Sequence, residues 1–274
     1  MSDNMVSFQK EPCGIFCVLL TYSCIFYADY CFIGHVVVPT LSNSIWGVVN
    51  GLLFNIFIML LAVSHFRATT SDPGKVPLPS TTLDFSDMHQ AASLLTKDEN
   101  NWTVCSRCET YRPPRAHHCR VCGRCIKKMD HHCPWINNCV GERNQKYFVL
   151  FLIYTGLSSL HAILLTSISL SLPCIDCSEQ YASRTRQIYA ITLIIEGLIF
   201  GLFVVALLCD QFSSICNDTT AIEYVQKKAS RRDQKSTKEL LIEVFGKGPS
   251  LSWFLPCSAP DLLLKSDNNT FYQV

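Results

Sequence analysis

Between Cys105 and Cys139 the chain reads Cys-x2-Cys-x9-His-Cys-x2-Cys-x2-Cys-x6-His-Cys-x5-Cys, with further histidines at 117 and 131. Structural zinc takes four soft ligands per ion, so two ions would use eight of these groups and leave at least one thiol and one imidazole over. A spare cysteine beside a spare histidine has the makings of an activated nucleophile. Cys105/Cys108 and Cys119/Cys122 are knuckles that present two thiolates from one tight turn, and the other candidate ligands are His117, His118, Cys125, His131, His132, Cys133 and Cys139. A core of buried free thiols is the poorer alternative, because this segment has almost no aliphatic residues from which to build one. If Asp130 to Cys133 is extended, alternate side chains point to opposite faces, so a metal-bound His132 leaves His131 and Cys133 together on the other. Asp130 would then orient His131, and His131 with the nearby cations would raise the thiolate fraction of Cys133.

The rest of the chain says where such chemistry sits. Of 274 residues 49% are apolar and 16% charged, and the apolar ones gather in four blocks, Gly14 to Val38, Ile45 to Ser64, Tyr147 to Leu172 and Ile188 to Cys209. Each is long enough for a transmembrane helix, which takes ~20 apolar residues. The first lacks a basic leader and runs past the length of a signal core. Basic residues number 12 in the loop from His65 to Lys146 and 8 in the tail after Asp210, against none and 2 in the loops from Pro39 to Ser44 and Pro173 to Gln187. Both termini and the cysteine-rich loop are therefore expected in the cytosol. That compartment is reducing, so its cysteines read as metal ligands or catalysts, while Cys174 and Cys177 on the luminal side read as either a disulfide or two thiols. From Arg107 to Lys128 there are seven Arg or Lys against one acid, Glu109, and an anionic partner is expected there. No internal repeat is read, and the polar stretch Ser80 to Asn101 reads as linker or peripheral helix. Asp29 and Glu196, the acids inside predicted spans, are expected to make interhelical hydrogen bonds.

Arg115-Ala116-His117-His118-Cys119, Met129-Asp130-His131-His132-Cys133-Pro134-Trp135 and Asn137-Asn138-Cys139-Val140-Gly141 resemble the cysteine-rich domain of the DHHC family of protein S-acyltransferases, and Asp72-Pro73-Gly74 matches a further motif of that family. The similarity is to its compact Golgi-type members. It implies an all-α polytopic membrane protein with four transmembrane helices and a small zinc-stabilised cytosolic domain between the second and third. The segments are then 1–64, 65–104, 105–146, 147–210 and 211–274. The resemblance further implies two structural zinc ions, one on Cys105, Cys108, His118 and Cys125, the other on Cys119, Cys122, His132 and Cys139. It makes Cys133, with His131 and Asp130, the catalytic group that takes an acyl chain from palmitoyl-CoA and passes it to cysteines of membrane-associated proteins at the Golgi or ER bilayer; no nucleic-acid partner is expected. Arg112, Arg115, Lys127 and Lys128 are the candidates for the phosphates of acyl-CoA, and Trp135 for the interface.

Two positions depart from the family pattern. Ala221 stands where the second threonine of a Thr-Thr-x-Glu motif ending in Glu223 would be, and Leu240 where an asparagine usually precedes Val244-Phe245-Gly246. Thr220-x-x-Glu223 still reads as a capping box, opening a helix through Ala229. The departures keep a catalytically weak or inactive zinc-domain scaffold in view. A membrane ubiquitin ligase would need a further Cys-x2-Cys near the end of the run, where only Cys139 is available. On the third span Gly156, Ser158 and Ser159 are small and would leave room for a long acyl chain.

Overall fold

The computed structural model describes residues 9–78, 102–174, 180–227, 235–248 and 250–257; Ser80 to Asn101, Cys177 and Ala229 lie outside them. Four helices are long and apolar enough to cross a membrane: Pro12–Leu41, Ile45–Thr70, Gln145–Ser171 and Ser183–Cys216. The first contains a π-helical turn, Phe32–Val37. The helix of the fourth span begins at Gln180, so the expected loop to Gln187 is shorter than its charges indicated. Arg186 lies within that helix, buried, with its Nη2 bonded to the carbonyl and hydroxyl of Ser169. A guanidinium there satisfies carbonyls left open at the end of the third span, which is how a basic residue can sit at the edge of an apolar helix.

The chain forms two compact units, one of residues 1–17, 66–148 and 213–274, the other of residues 18–65 and 149–212. The second unit is helical. Its core holds Phe32, Val36, Phe54, Leu165 and Leu193, with Phe32 stacked on Phe54 at 4.0 Å. Polar groups within it find partners on neighbouring helices: His161 with Asn50 at 2.9 Å, Tyr27 with Thr192 at 2.6 Å, Asp29 with Asn55 and Glu196 with Cys24. The small residues of the third span are used for packing rather than for space. Ser159 Cβ lies 3.5 Å from where a side chain on Gly201 would begin, and Gly156 faces Val204, so the third and fourth spans approach closely. Ser158 is buried, with its hydroxyl returned to the carbonyl of Tyr154 at 2.8 Å.

The first unit carries the cysteine-rich segment as three two-stranded antiparallel hairpins: β1 Thr103–Cys105 with β2 Thr110–Arg112, β3 His117–Cys119 with β4 Arg124–Ile126, and β5 His131–Cys133 with β6 Asn138–Val140. Strands of three residues cannot bury enough apolar surface to stand alone. Asp72-Pro73-Gly74 braces them. Asp72 Oδ1 accepts from the amides of Gly74 and Lys75, and Asp72 Oδ2 from Arg143 at 3.1 Å. Residues 74–76 then run beside β4, through Lys127 N to Gly74 O and Val76 N to Cys125 O, both at 2.8 Å. Gly141 has to be glycine here, because a Cβ would stand 2.5 Å from the carbonyl oxygen of Pro73. Asn138 and Asn144 donate to the carbonyls of Ala68, Thr69 and Ser71, closing the last turn of the second span against β6.

Candidate active site and metal clusters

The register of the hairpins decides which side chains meet. His118 stands opposite Cys125, and His132 opposite Cys139. The second and third hairpins therefore each offer one imidazole and one thiol on the same face, which the knuckle of the preceding hairpin completes. The groups so gathered are Cys105, Cys108, His118 and Cys125, and Cys119, Cys122, His132 and Cys139. In the first quartet the Nδ1 of His118 lies 3.6, 3.2 and 3.9 Å from the three sulfurs, and the sulfurs of Cys108 and Cys125 are 3.8 Å apart. In the second, His132 Nδ1 lies 3.7, 3.5 and 3.6 Å from its sulfurs, and Cys122 is 3.4 Å from Cys139. A tetrahedral zinc with bonds of about 2.3 Å to sulfur and 2.0–2.1 Å to nitrogen has edges of about 3.8 and 3.6 Å. The quartets have that size, and each could hold a zinc ion. Hydrogen bonds from Cys122 and Cys139 pull Cys119 far below the ordinary thiol range, while contact with Cys119 and Cys122 pushes Cys139 up. Thiols this close cannot all ionise without a cation among them.

The spacing behind this is a repeat that a reading by motif overlooks. Cys-x2-Cys-x9-His-x6-Cys occurs from Cys105 and again from Cys119, 14 residues on, and the six strands follow the same offset. The turn after each knuckle places its next residue in the left-handed region, Glu109 at φ 47° and Gly123 at φ 63°; Asn137, another 14 on, has φ 47°. A third knuckle turn therefore exists at Cys133-Pro134-Trp135-Ile136, with Ile136 in place of the second cysteine. Cys133 is left outside both quartets.

On the face opposite His132, Cys133 is within hydrogen-bonding reach of His131, and the ring of Phe148 packs edge-on against His131 at 5.4 Å. His131 Nδ1–H donates to Asp130 Oδ2 at 2.8 Å, which turns Nε2 to the thiol. Burial opposes a charge on His131, but the hydrogen bonds to Asp130 and Cys133 outweigh it and push its pKa up to about 9. Asp130 is itself buried, and its Oδ1 accepts at 2.8 Å from the backbone N–H of Ala221.

That contact resolves one departure from the family pattern. Thr220 and Glu223 form the capping box of a short helix, Ala221–Val225, which ends well before Ala229, with Lys227 left-handed at φ 53°. Since the donor to Asp130 is backbone, alanine serves at 221. Leu240 is buried beside Val244 and Phe245 on the helix Thr237–Phe245, an apolar position that suits leucine. The capping carboxylate also takes Arg115, Nε to Oε1 at 2.8 Å and Nη2 to Oε2 at 2.9 Å, while Arg115 Nη1 reaches Asp218 at 2.7 Å. Arg115, left-handed at φ 65°, is thus occupied by acids rather than presented to a ligand. Lys128 pairs with Asp218 at 3.6 Å and Glu243 at 3.4 Å. Arg112 Nε bonds to Thr103 Oγ1, and Lys127 makes no ion pair among the described residues. Trp135 is half-buried in the third knuckle.

A profile of the DHHC palmitoyltransferase family matches residues 98–228. Palmitoyltransferase ZDHHC3 of Homo sapiens is 41% identical over 260 residues, covering 93% of this chain and 84% of that protein. Palmitoyltransferase ZDHHC7 of Rattus norvegicus is 38% identical over 262 residues, with 93% and 82% covered, and the probable protein S-acyltransferase 13 of Arabidopsis thaliana 32% over 228, with 80% and 75% covered. With its hairpins, cysteine–histidine quartets and four apolar helices, this chain belongs to the DHHC palmitoyltransferase family.

Proposed function

We propose that the chain is a protein S-acyltransferase, carrying a long-chain acyl group from acyl-CoA to cysteines of membrane-associated proteins through an acyl-Cys133 intermediate. The observation that carries this reading is Cys133 standing outside both quartets, beside a histidine that a buried aspartate holds. Cys133 attacks the thioester carbonyl, CoA leaves, and the incoming protein thiol then displaces Cys133, so that thioester energy is kept through two steps. The proton of Cys133 is held on His131 before attack, as its raised pKa favours; His131 returns it to the departing CoA and then, as neutral imidazole, takes one from the incoming protein thiol, while Asp130 holds its tautomer. Palmitoyl-CoA is the substrate that the names of the ZDHHC3 and ZDHHC7 relatives point to.

One zinc ion is assigned to Cys105, Cys108, His118 and Cys125 and the other to Cys119, Cys122, His132 and Cys139; such ions supply folding free energy and no chemistry. Arg112 and Lys127 remain as contacts for CoA phosphates, and Trp135 for the interface, while Arg115 and Lys128 fall to the scaffold. Both termini and the hairpins are placed in the cytosol of a Golgi or ER membrane. The disulfide at Cys174 supports an oxidising compartment on the other side. The reading is tested by mixing purified protein with palmitoyl-CoA: a burst of about one CoA per chain and a hydroxylamine-sensitive acyl group on Cys133 are expected. A burst that persists in Cys133→Ser would refute it.

A further inference from the structure

Two thiols outside the described chemistry lie beside it. Cys13 and Cys17 are one turn apart on the first span, Cys13 exposed and Cys17 half-buried. At i and i+4 they share one face of the helix, and Cys17 is within hydrogen-bonding reach of Cys13. Cys17 also lies close enough to Cys133 for the two sulfurs to interact electrostatically. Independent contacts fix that proximity. Asn137, four residues after Cys133, donates from its Nδ2 to the carbonyl of Gln9 at 2.6 Å. Gly14 sits against the same side chain so tightly that a Cβ would stand 2.1 Å from Asn137 Oδ1. The start of the first span is thus held on the turn that follows the nucleophile, and Cys17, one turn beyond Gly14, is on the face that meets it.

We infer that Cys17, with Cys13 behind it, is an acyl acceptor served in cis by acyl-Cys133, so that the enzyme S-acylates its own first span. The inference rests on the acyltransferase reading above. The sulfur of Cys17 attacks the carbonyl carbon of acyl-Cys133, a C–S bond to Cys17 forms as the one to Cys133 breaks, and the proton of Cys17 ends on Cys133 by way of His131. Thioester replaces thioester, so no oxidant or further reactant is needed. The transfer is intramolecular, and it competes with protein substrates by proximity rather than by recognition. Cys13 is four residues from Cys17 and can take the acyl group on by the same exchange, which leaves both inner thiols free for another cycle.

The test uses full-length protein in nanodiscs holding one chain each, loaded with palmitoyl-CoA, stripped of unreacted palmitoyl-CoA and followed by peptide mass spectrometry. Acyl groups should appear on Cys133 first and then, with no acyl-CoA present, move to Cys17 and Cys13. In Cys133→Ser the yield on Cys17 should fall at least about tenfold, since direct uptake from acyl-CoA lacks the proximity advantage. A Cys133→Ser chain in separate discs, incubated with acyl-loaded wild type, should stay unlabelled. Cys13→Ala/Cys17→Ala should retain acyl-Cys133 and transfer to protein substrates while losing the slower-appearing label. Acyl-Cys133 formed and Cys17 and Cys13 bare would overturn this inference and leave the acyltransferase reading standing; equal label on Cys17 in Cys133→Ser would overturn it as well. A chain bare at all three cysteines would overturn the acyltransferase reading itself.

Discussion

Arg115 and Glu223 link the cysteine-rich hairpins to the helix that holds Asp130, and breaking this pair is the sharpest test of how the site is built. The carboxylate of Glu223 meets three donors, two from Arg115 and the amide of Thr220 at 2.9 Å, in a residue only 4% exposed. Glutamine at 223 has a single acceptor oxygen and sets an NH2 against at least one of those donors, a loss of about 2–3 kcal/mol at the rate for a hydrogen bond to a charged group. Arg115→Met removes both guanidinium donors from the buried carboxylate, and breaking a buried pair from one side costs about 3–5 kcal/mol. Asp218 is not orphaned, because Lys128 remains 3.6 Å away. The double variant removes donor and acceptor together, so it should cost about 2 kcal/mol less than the sum of the two. The same change frees the N-terminus of the helix that donates to Asp130, and losing one hydrogen bond to a charged group, about 1.5–3 kcal/mol, slows single-turnover acylation of Cys133 by about 10- to 100-fold. Stability is followed as metal release to a chromophoric chelator during thermal unfolding, and acylation by rapid quench. If Arg115→Met instead raises KM for palmitoyl-CoA with unfolding unchanged, Arg115 is a phosphate contact and the structural assignment fails.

The division of labour within Asp130-His131-His132-Cys133 predicts that Cys133→Ser and His131→Ala keep two zinc ions per chain and lose acylation, whereas His132→Ala loses metal; metal analysis showing the three variants alike would refute it. Asp130→Asn removes the main interaction that raises His131. His131 is held protonated below about pH 9 in the wild type, so its titration should move in the acid direction, toward the ordinary ~6.5; an unmoved limb in the pH dependence of acylation would show that Asp130 does not set it. Gly141→Ala should destabilise the hairpins by driving a methyl group against the Pro73 carbonyl, and unchanged metal release on heating would show that the backbone there is free to yield.

The two quartets were legible because zinc chemistry fixes residue type and count, and the alternation of a short strand fixes which histidine shares a face with the thiols. Side chains whose partners lie far along the chain were not. Seven basic residues pointed to an anion, but the acids that occupy Arg115 and Lys128 come from positions 218, 223 and 243, about 100 residues on, where nothing local announces them. The loss of a threonine at 221 looked damaging because sequence displays side chains, whereas the contact is made by an amide that every residue but proline possesses. The small residues of the third span read as room for a chain because a glycine or serine says only that space is available. In the structure the fourth span closes on Gly156 and Ser159.

The offset of 14 residues also explains why a thiol is left over, and the explanation can be tested. Cys105, Cys119 and Cys133 hold the same place in three successive hairpins, and the first two are paired with a second cysteine three residues on. In the third turn that place is taken by Ile136, fully buried, and after β6 the chain runs into the helix Gln145–Ser171 instead of a further hairpin that would supply another histidine and cysteine. Cys133 is thus a knuckle thiol that lies outside both quartets. Its histidine differs from the equivalent His117 chiefly in its neighbour, Asp130 where the second hairpin has Ala116. Ile136→Cys should restore the knuckle and aim two sulfurs at one point, as Cys105 and Cys108 are aimed. The lost aliphatic volume would cost about 1–2 kcal/mol, in the range of other truncations of a buried side chain by a carbon or two. The larger effect is on Cys133 as the proposed nucleophile, since a thiolate bound to zinc is withdrawn from attack. The variant should be inhibited by added zinc and restored by a chelator that leaves the two complete quartets filled, while wild type under the same conditions changes little. Inhibition that no chelator relieves, or none at all, would show that the third turn does not share the geometry of the other two.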